Sequence, residues 1–144
     1  MECADNLLIS WKNGGLYVHD SATKNNFYGV QGSSSITLTF NEKNIIKKTF
    51  DSITIDANAT WDSATIGNLN TSLSQTSNLV ASDYEFHEGF RHAALMRDSL
   101  SLGGIINGDY LKGTWLEVKL NNSATNLVYL SGLYMGYQVS PRNF

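Results

Sequence analysis

The residues most able to do chemistry gather in one stretch, Asp83-Tyr84-Glu85-Phe86-His87-Glu88-Gly89-Phe90-Arg91-His92. It holds three acids and two of the chain's three histidines. A zinc-protease helix would place two histidines at i and i+4 on one face, with a glutamate as general base. Here the histidines stand at i and i+5, about 140° apart around a helix and on opposite faces of a strand. Neither shape points both rings at one ion, so no metal site is expected. Read as a strand, the segment turns Asp83, Glu85 and His87 to solvent and packs Tyr84 and Phe86 inward.

No other catalytic pattern is present. The chain has no Gly-x-Ser-x-Gly elbow, no Walker loop and no Gly-x-Gly-x-x-Gly between strand and helix. Asp56 with Asp62, or Asp83 with Glu85, has the residue types of a glycosidase pair. Such pairs arise by chance, and nothing in their spacing selects them. Cys3, the single cysteine, lies too near the terminus for a nucleophile. Trp11, Trp61, Trp115 and seven tyrosines could stack on sugars. Core packing is the stronger reading, since Trp61 is in phase with a buried face and Tyr129 and Tyr137 are in phase with Leu133. No catalytic, cofactor-binding or metal residue is expected, and the chain is read as no enzyme.

The elements that position these residues are mostly strands. Leu7–Trp11 and Leu16–His19 flank Lys12-Asn13-Gly14-Gly15, a hairpin whose Asn and Gly accept the positive φ of a tight turn. Ser34–Phe40 alternates, with Ile36, Leu38 and Phe40 on one face. Phe50–Trp61 sets Ile53, Ile55, Ala57, Ala59 and Trp61 against Ser52, Thr54, Asp56, Asn58 and Thr60. Ser63–Ser82 has no charge, and reads either as a short helix capped by Asp62 or Ser63 or as a long polar connection. Gly89 favours two strands meeting at a bulge or turn within Tyr84–Arg97. Gly103-Gly104 and Asn107-Gly108-Asp109 mark loops. Trp115–Leu120 alternates. Leu127–Val139 is the longest strand candidate, about 43 Å if unbroken, and its two apolar phases at Leu127–Leu130 suggest a strand covered on both sides. Pro141 ends it. The reading is all-β: an antiparallel β-sandwich of about seven strands with at most one short helix, forming one domain over residues 1–144 with a polar connection at 63–82. Ile36, Leu38, Phe40, Ile53, Ile55, Trp61, Leu116, Val118, Leu130 and Leu133 are the expected core.

Composition narrows the function. The 144 residues carry ten Lys+Arg against thirteen Asp+Glu, a formal charge of −3, with no excess of cations to neutralise a nucleic acid. Only 16% of residues are charged, against about 25% in an average globular chain; 42 Ser, Thr and Asn take their place. That surface is common in secreted or particle-borne β proteins. A lone cysteine forms no internal disulfide. Asn121–Pro141, the longest uncharged run with apolar content, is too interrupted for a membrane helix, and the first six residues lack the regions of a signal peptide.

Several stretches carry a resemblance. Asn13-Gly14-Gly15-Leu16-Tyr17-Val18-His19-Asp20-Ser21, Asn25 to Gln31, Ser33 to Glu42 and Lys48 to Ile53 resemble large tailed-bacteriophage virion proteins, the tail or "stabilization" proteins of crAss-like phages. Ser82 to Phe90, His92-Ala93-Ala94, Arg97-Asp98 and Ile106 to Gly113 look like the carboxy-terminal portion of the same proteins. Those proteins are much longer, so the resemblance implies a terminal segment, a cleaved piece or a dissected domain. It implies a structural component of the virion neck or tail, made in the host cytoplasm. Its partners would be other virion proteins and copies of itself, with no nucleic acid or membrane. A carbohydrate-binding or adhesive β module, with a glycan partner, is the alternative.

Overall fold

The computed structural model describes residues 2–4, 6–67, 75–96, 98 and 110–139. The Gly103-Gly104 and Asn107-Gly108-Asp109 loops and the Pro141 stop lie outside them. The chain divides into two compact units, the first of Met1–Ser34 and Ser123–Val128, the second of Ser35–Asn122 and Tyr129–Phe144.

The first unit is built on a three-stranded antiparallel sheet of β1 (Glu2–Ala4), β2 (Leu7–Lys12) and β3 (Gly15–Val18). The expected Asn13-Gly14 hairpin forms, with φ of 52° and 80° at its two central residues. Positive φ at both is the turn that matches the twist of paired strands. A small hairpin follows, β4 (Asn26–Phe27) with β5 (Val30–Gln31), turning on Tyr28-Gly29. Tyr28 has φ 52°, which its side chain disfavours. Its ring packs edge-on against Tyr17 at 5.1 Å and His19 at 5.7 Å, with the Lys12 ammonium 4.4 Å above it. Those contacts hold the turn. Segment 123–128 belongs to this unit through Asn25, whose Nδ2 donates to the Ala124 carbonyl at 2.9 Å.

The second unit is sandwich-like. One sheet centres on β7 (Lys48–Ala57). Along one edge β7 pairs with β14 (Leu130–Val139) through its full length. Along the other it pairs with β11 (Phe90–Ala94), then with β12 (Leu111–Gly113). The Leu95 amide bridges the join by donating to the Asp51 carbonyl at 2.9 Å. Beyond β11 lies β10 (Glu85–His87). The second sheet runs β6 (Ser34–Phe40), β13 (Leu116–Asn122), β8 (Ser63–Gly67), β9 (Thr76–Val80). Ile53 and Ile55 from the first sheet, and Leu116, Val118, Leu120, Ala64, Ile66 and Leu79 from the second, are buried.

Several expectations change. Fourteen strands form among the described residues, not about seven, because strands of two or three residues leave no alternation to read. The described parts of Ser63–Ser82 hold strands where a helix or a polar connection was expected: β8 and β9 pair antiparallel, placing Ala64 beside Leu79, and among the described residues only a 3-10 turn at Ala81–Asp83 is helical; residues 68–74 lie outside the described residues. Of the expected core, Ile53, Ile55, Trp61, Leu116 and Val118 are buried; Ile36 is exposed, and Leu38, Phe40, Leu130 and Leu133 are half-buried. These five sit on β6 and β14, which flank their sheets and are covered less. Leu127 and Tyr129 are exposed and precede β14. The strand is ten residues long and no doubly covered segment precedes it.

Strict alternation along β7 would also put Phe50 and Lys48 outside, yet both are buried. Gly136 pairs with Ser52 while Tyr137 pairs with Phe50, so Asp51 is an extra residue on β7. The bulge flips the phase. Gly136 suits this close approach: a Cβ would run into the Ser52 hydroxyl and approach Asp51 Oδ1 to 2.7 Å, so one or both side chains would have to shift.

Ile55→Ala should lower unfolding free energy by about 2–5 kcal/mol, the range for a buried large-to-small change, and Leu38→Ala by less; denaturant midpoints check both. Gly136→Ala should also destabilise, and adding Ser52→Ala should recover part of that loss.

Candidate functional site

The chemistry-bearing stretch folds as the β10–β11 hairpin. Its turn, Glu88-Gly89, has φ of 52° and 88°, and His87 pairs with Phe90, Phe86 with Arg91, Glu85 with His92. Directly paired residues share a face, as do residues two apart in one strand. Glu85, His87, Phe90 and His92 therefore project together. The expectation that His87 and His92 lie on opposite faces was built on one continuous element, and the two-residue turn removes it. The two imidazoles are 6.3 Å apart, centre to centre.

The neighbours fix this face. Thr54 of β7 pairs with His92, and its Oγ1 is 2.9 Å from His92 Nδ1. Glu85 Oε2 is 3.1 Å from His87 Nε2. Phe90 stands edge-on to Tyr134 of β14 at 6.5 Å. On the other face Arg91 lies over Phe86, 5.1 Å from its ring centre, and donates to the Ala57 carbonyl and Thr60 Oγ1. Phe86 itself is exposed, not packed inward as expected, since β10 is the outermost strand of its sheet. Asp83 accepts from the Val80 amide at 2.7 Å, which ties it to the 3-10 turn.

Sequence reasoning missed Lys48. It is 1% exposed, and its ammonium donates to the carbonyls of Glu42, Lys43 (3.3 Å) and Thr114 (2.7 Å), 5.5 Å from the Tyr137 ring centre. Burial holds its pKa below the usual lysine range, against the pull of Glu42 and with the push of Lys43. A hollow of about 230 Å³ lies alongside, walled by Phe40, Phe50, Leu133 and Tyr137. All three N–H donors are engaged on backbone, so the group clamps two turns together and offers no free donor to a ligand. Only the bulge brings Lys48 inside; alternation alone carries no signal of it.

The tryptophans divide. Trp61 is buried, as its phase suggests, while Trp11 is 70% exposed on the open face of the first unit's sheet with Leu7, Leu16 and Val18. Tyr137 packs on Phe50 at 6.2 Å, but Tyr129, expected in the core, is exposed. Near the 3-10 turn, burial pushes the Tyr84 hydroxyl up to about 12, with the Asp83 charge adding to the shift.

An all-β chain with few charges, open apolar strand faces and a buried lysine engaged on backbone carbonyls fits a particle protein. The comparison with protein families agrees. Residues 22–98 match the model of the Crassvirus muzzle protein C-terminal domain, and the chain belongs to that family. It is a phage structural protein and a virion component. No curated protein matches it.

Lys48→Met should destabilise by about 1–3 kcal/mol at neutral pH, because it strands three carbonyls. Tyr84 makes a sign prediction. Its folded pKa exceeds the ordinary 10.0, so the unfolded chain sheds the proton first, and stability present below pH 10 is lost as pH rises toward about 12. Tyr84→Phe should flatten that alkaline loss in denaturant titrations.

Proposed function

We propose that the chain is a structural component of the neck or tail of the phage particle, present in several copies. It works through interfaces with other virion proteins and with copies of itself. In this reading it has no catalytic centre and takes no nucleic acid or membrane as partner. Its observation of most weight is the outer edge of β14. That strand has ten residues, Leu130–Val139, none charged and none proline. One edge is taken by β7, and no described strand pairs with the other. Edge strands normally carry lysines, prolines or other guards against pairing with a second chain. An unguarded edge of this length suits a protein whose neighbours supply the missing strand or cover it. The open apolar face bearing Leu7, Trp11, Leu16 and Val18 supports the same reading, because permanent interfaces are richer in apolar area than free surfaces.

A second reading, a glycan-binding or adhesive module, is favoured by one observation in the first unit. A hollow of about 220 Å³ there is walled by Tyr17, His19 and Tyr28 with Asp20 and Asn26 at its rim. Aromatic faces beside polar groups suit a sugar.

Ser131 and Gln138 are exposed on β14. Virions assembled with the Ser131→Lys, Gln138→Lys chain should lose it from purified particles by mass spectrometry, while its melting temperature is unchanged. Retention at the normal copy number would contradict the edge's role. Saturable binding of soluble oligosaccharide, lost in Tyr17→Ala, would favour the second reading.

A further inference from the structure

The middle of β14 reads nearly the same in both directions. Gly132-Leu133-Tyr134-Met135-Gly136 has a glycine at each end, a long apolar side chain inside each glycine, and a tyrosine at the centre. When two identical strands pair antiparallel about a two-fold axis, residue i meets residue j and j meets i. A strand with this pattern is complementary to itself. We propose that the outer edge of β14 pairs antiparallel with the same edge of a second copy of this chain, with the axis at Tyr134. The proposal rests on the reading of that edge as an interface, and adds the partner and the register.

On the outer face the glycines make room for the tyrosines. Directly opposite residues share a face, so Gly132 meets Gly136 of the second copy and Tyr134 meets its own counterpart. The Tyr134 ring lies over Gly132 of its own strand, where a Cβ would come within 3.0 Å of it. The two rings therefore lean away from the axis in opposite directions, and each covers one glycine pair. Glycine at 132 gives the ring its place, and glycine at 136 of the second copy keeps that place open from across the pair. Tyr134 is 57% exposed in the single chain, so it has surface to bury.

On the inner face Leu133 meets Met135, twice by symmetry. In the single chain Leu133, Met135 and Tyr137 are only half-buried, and they wall the hollow of about 230 Å³ beside Lys48. A second copy sets its Met135 beside Leu133 and its Leu133 beside Met135, which continues the apolar layer past the edge of the sheet. Leu130–Val139 carries no charge, so the pairing brings no like charges face to face. Its length is bounded by a bulge at Ser131, where the register of β14 on β7 skips between Leu130 and Gly132. Each copy's bulge limits the other, and the ladder runs from Gly132 to Gly136 in both, the length of an ordinary strand.

The test is sedimentation equilibrium of the full purified chain under reducing conditions, which keep Cys3 from linking copies. A concentration-dependent dimer is expected. Tyr134→Lys and Tyr134→Glu should each weaken it about tenfold, because each sets two like charges opposite one another. An equimolar mixture of the two should recover it, since only the mixed pair brings opposite charges to the axis. In the unaltered chain, amide exchange at Gly132–Gly136 should slow as concentration rises, a readout that needs no variant. A monomer up to millimolar concentration, a dimer indifferent to both charges, or a mixture no better than either variant alone would overturn the self-pairing. If the purified chain stays monomeric while Ser131→Lys, Gln138→Lys still removes it from virions, the self-pairing fails and the edge's role in the particle stands, with a different virion protein on it.

Discussion

The second unit depends on the pairing of β7 along both its edges. All of its ten residues but the bulged Asp51 pair with β14 on one side, and β11, Leu95 and β12 follow in succession on the other. Every neighbour's register is thereby set from one strand. A strand with both edges satisfied leaves only its faces to be chosen, and the bulge at Asp51 makes that choice twice. It sends Ile53, Ile55 and Ala57 inward on one side of the bulge and Phe50 and Lys48 inward on the other. The chemistry of Lys48 follows from this geometry. An ammonium forced inside must find acceptors, and three carbonyls from two different turns supply them.

The same strand organises the outer face. Thr54 lies between His92 on one side and Tyr134 on the other, so a polar and aromatic row crosses β10, β11, β7 and β14. The first unit solves its own problem differently. With a small sheet and little core, it pins one face under Tyr28, accepting an unfavourable φ for contacts with Tyr17, His19 and Lys12. Its other face carries Leu16 and Trp11 exposed.

What the sequence revealed follows the reach of each signal. Ile53 and Ile55 in β7, and Leu116 and Val118 in β13, alternate over enough residues to declare a buried face, and they are buried. Asn13-Gly14 names its turn because both residues accept positive φ; Glu88-Gly89 hides the same turn, since glutamate gives no such signal, and with it the shared face of His87 and His92. Long-range pairing is invisible to local pattern. β8 and β9 read as polar because Ser and Thr occupy them, and only their antiparallel register places Ala64, Leu79 and Ile66 in the core. Phase reading also cannot distinguish a central strand from a flanking one. It therefore placed Ile36, Leu38 and Leu133 too deep, and it could not foresee a bulge that turns a lysine inward.

The family match accounts for the structural character of the chain, and the proposed role rests on what the outer edge of β14, which no described strand pairs with, does in the particle. Imaging of intact virions at a resolution that traces the backbone tests this most directly. The account predicts density for this fold in the neck or tail, with another protein chain against the outer edge of Leu130–Val139. Absence of the fold from neck and tail density, or its presence there with that edge facing open solvent, would contradict it.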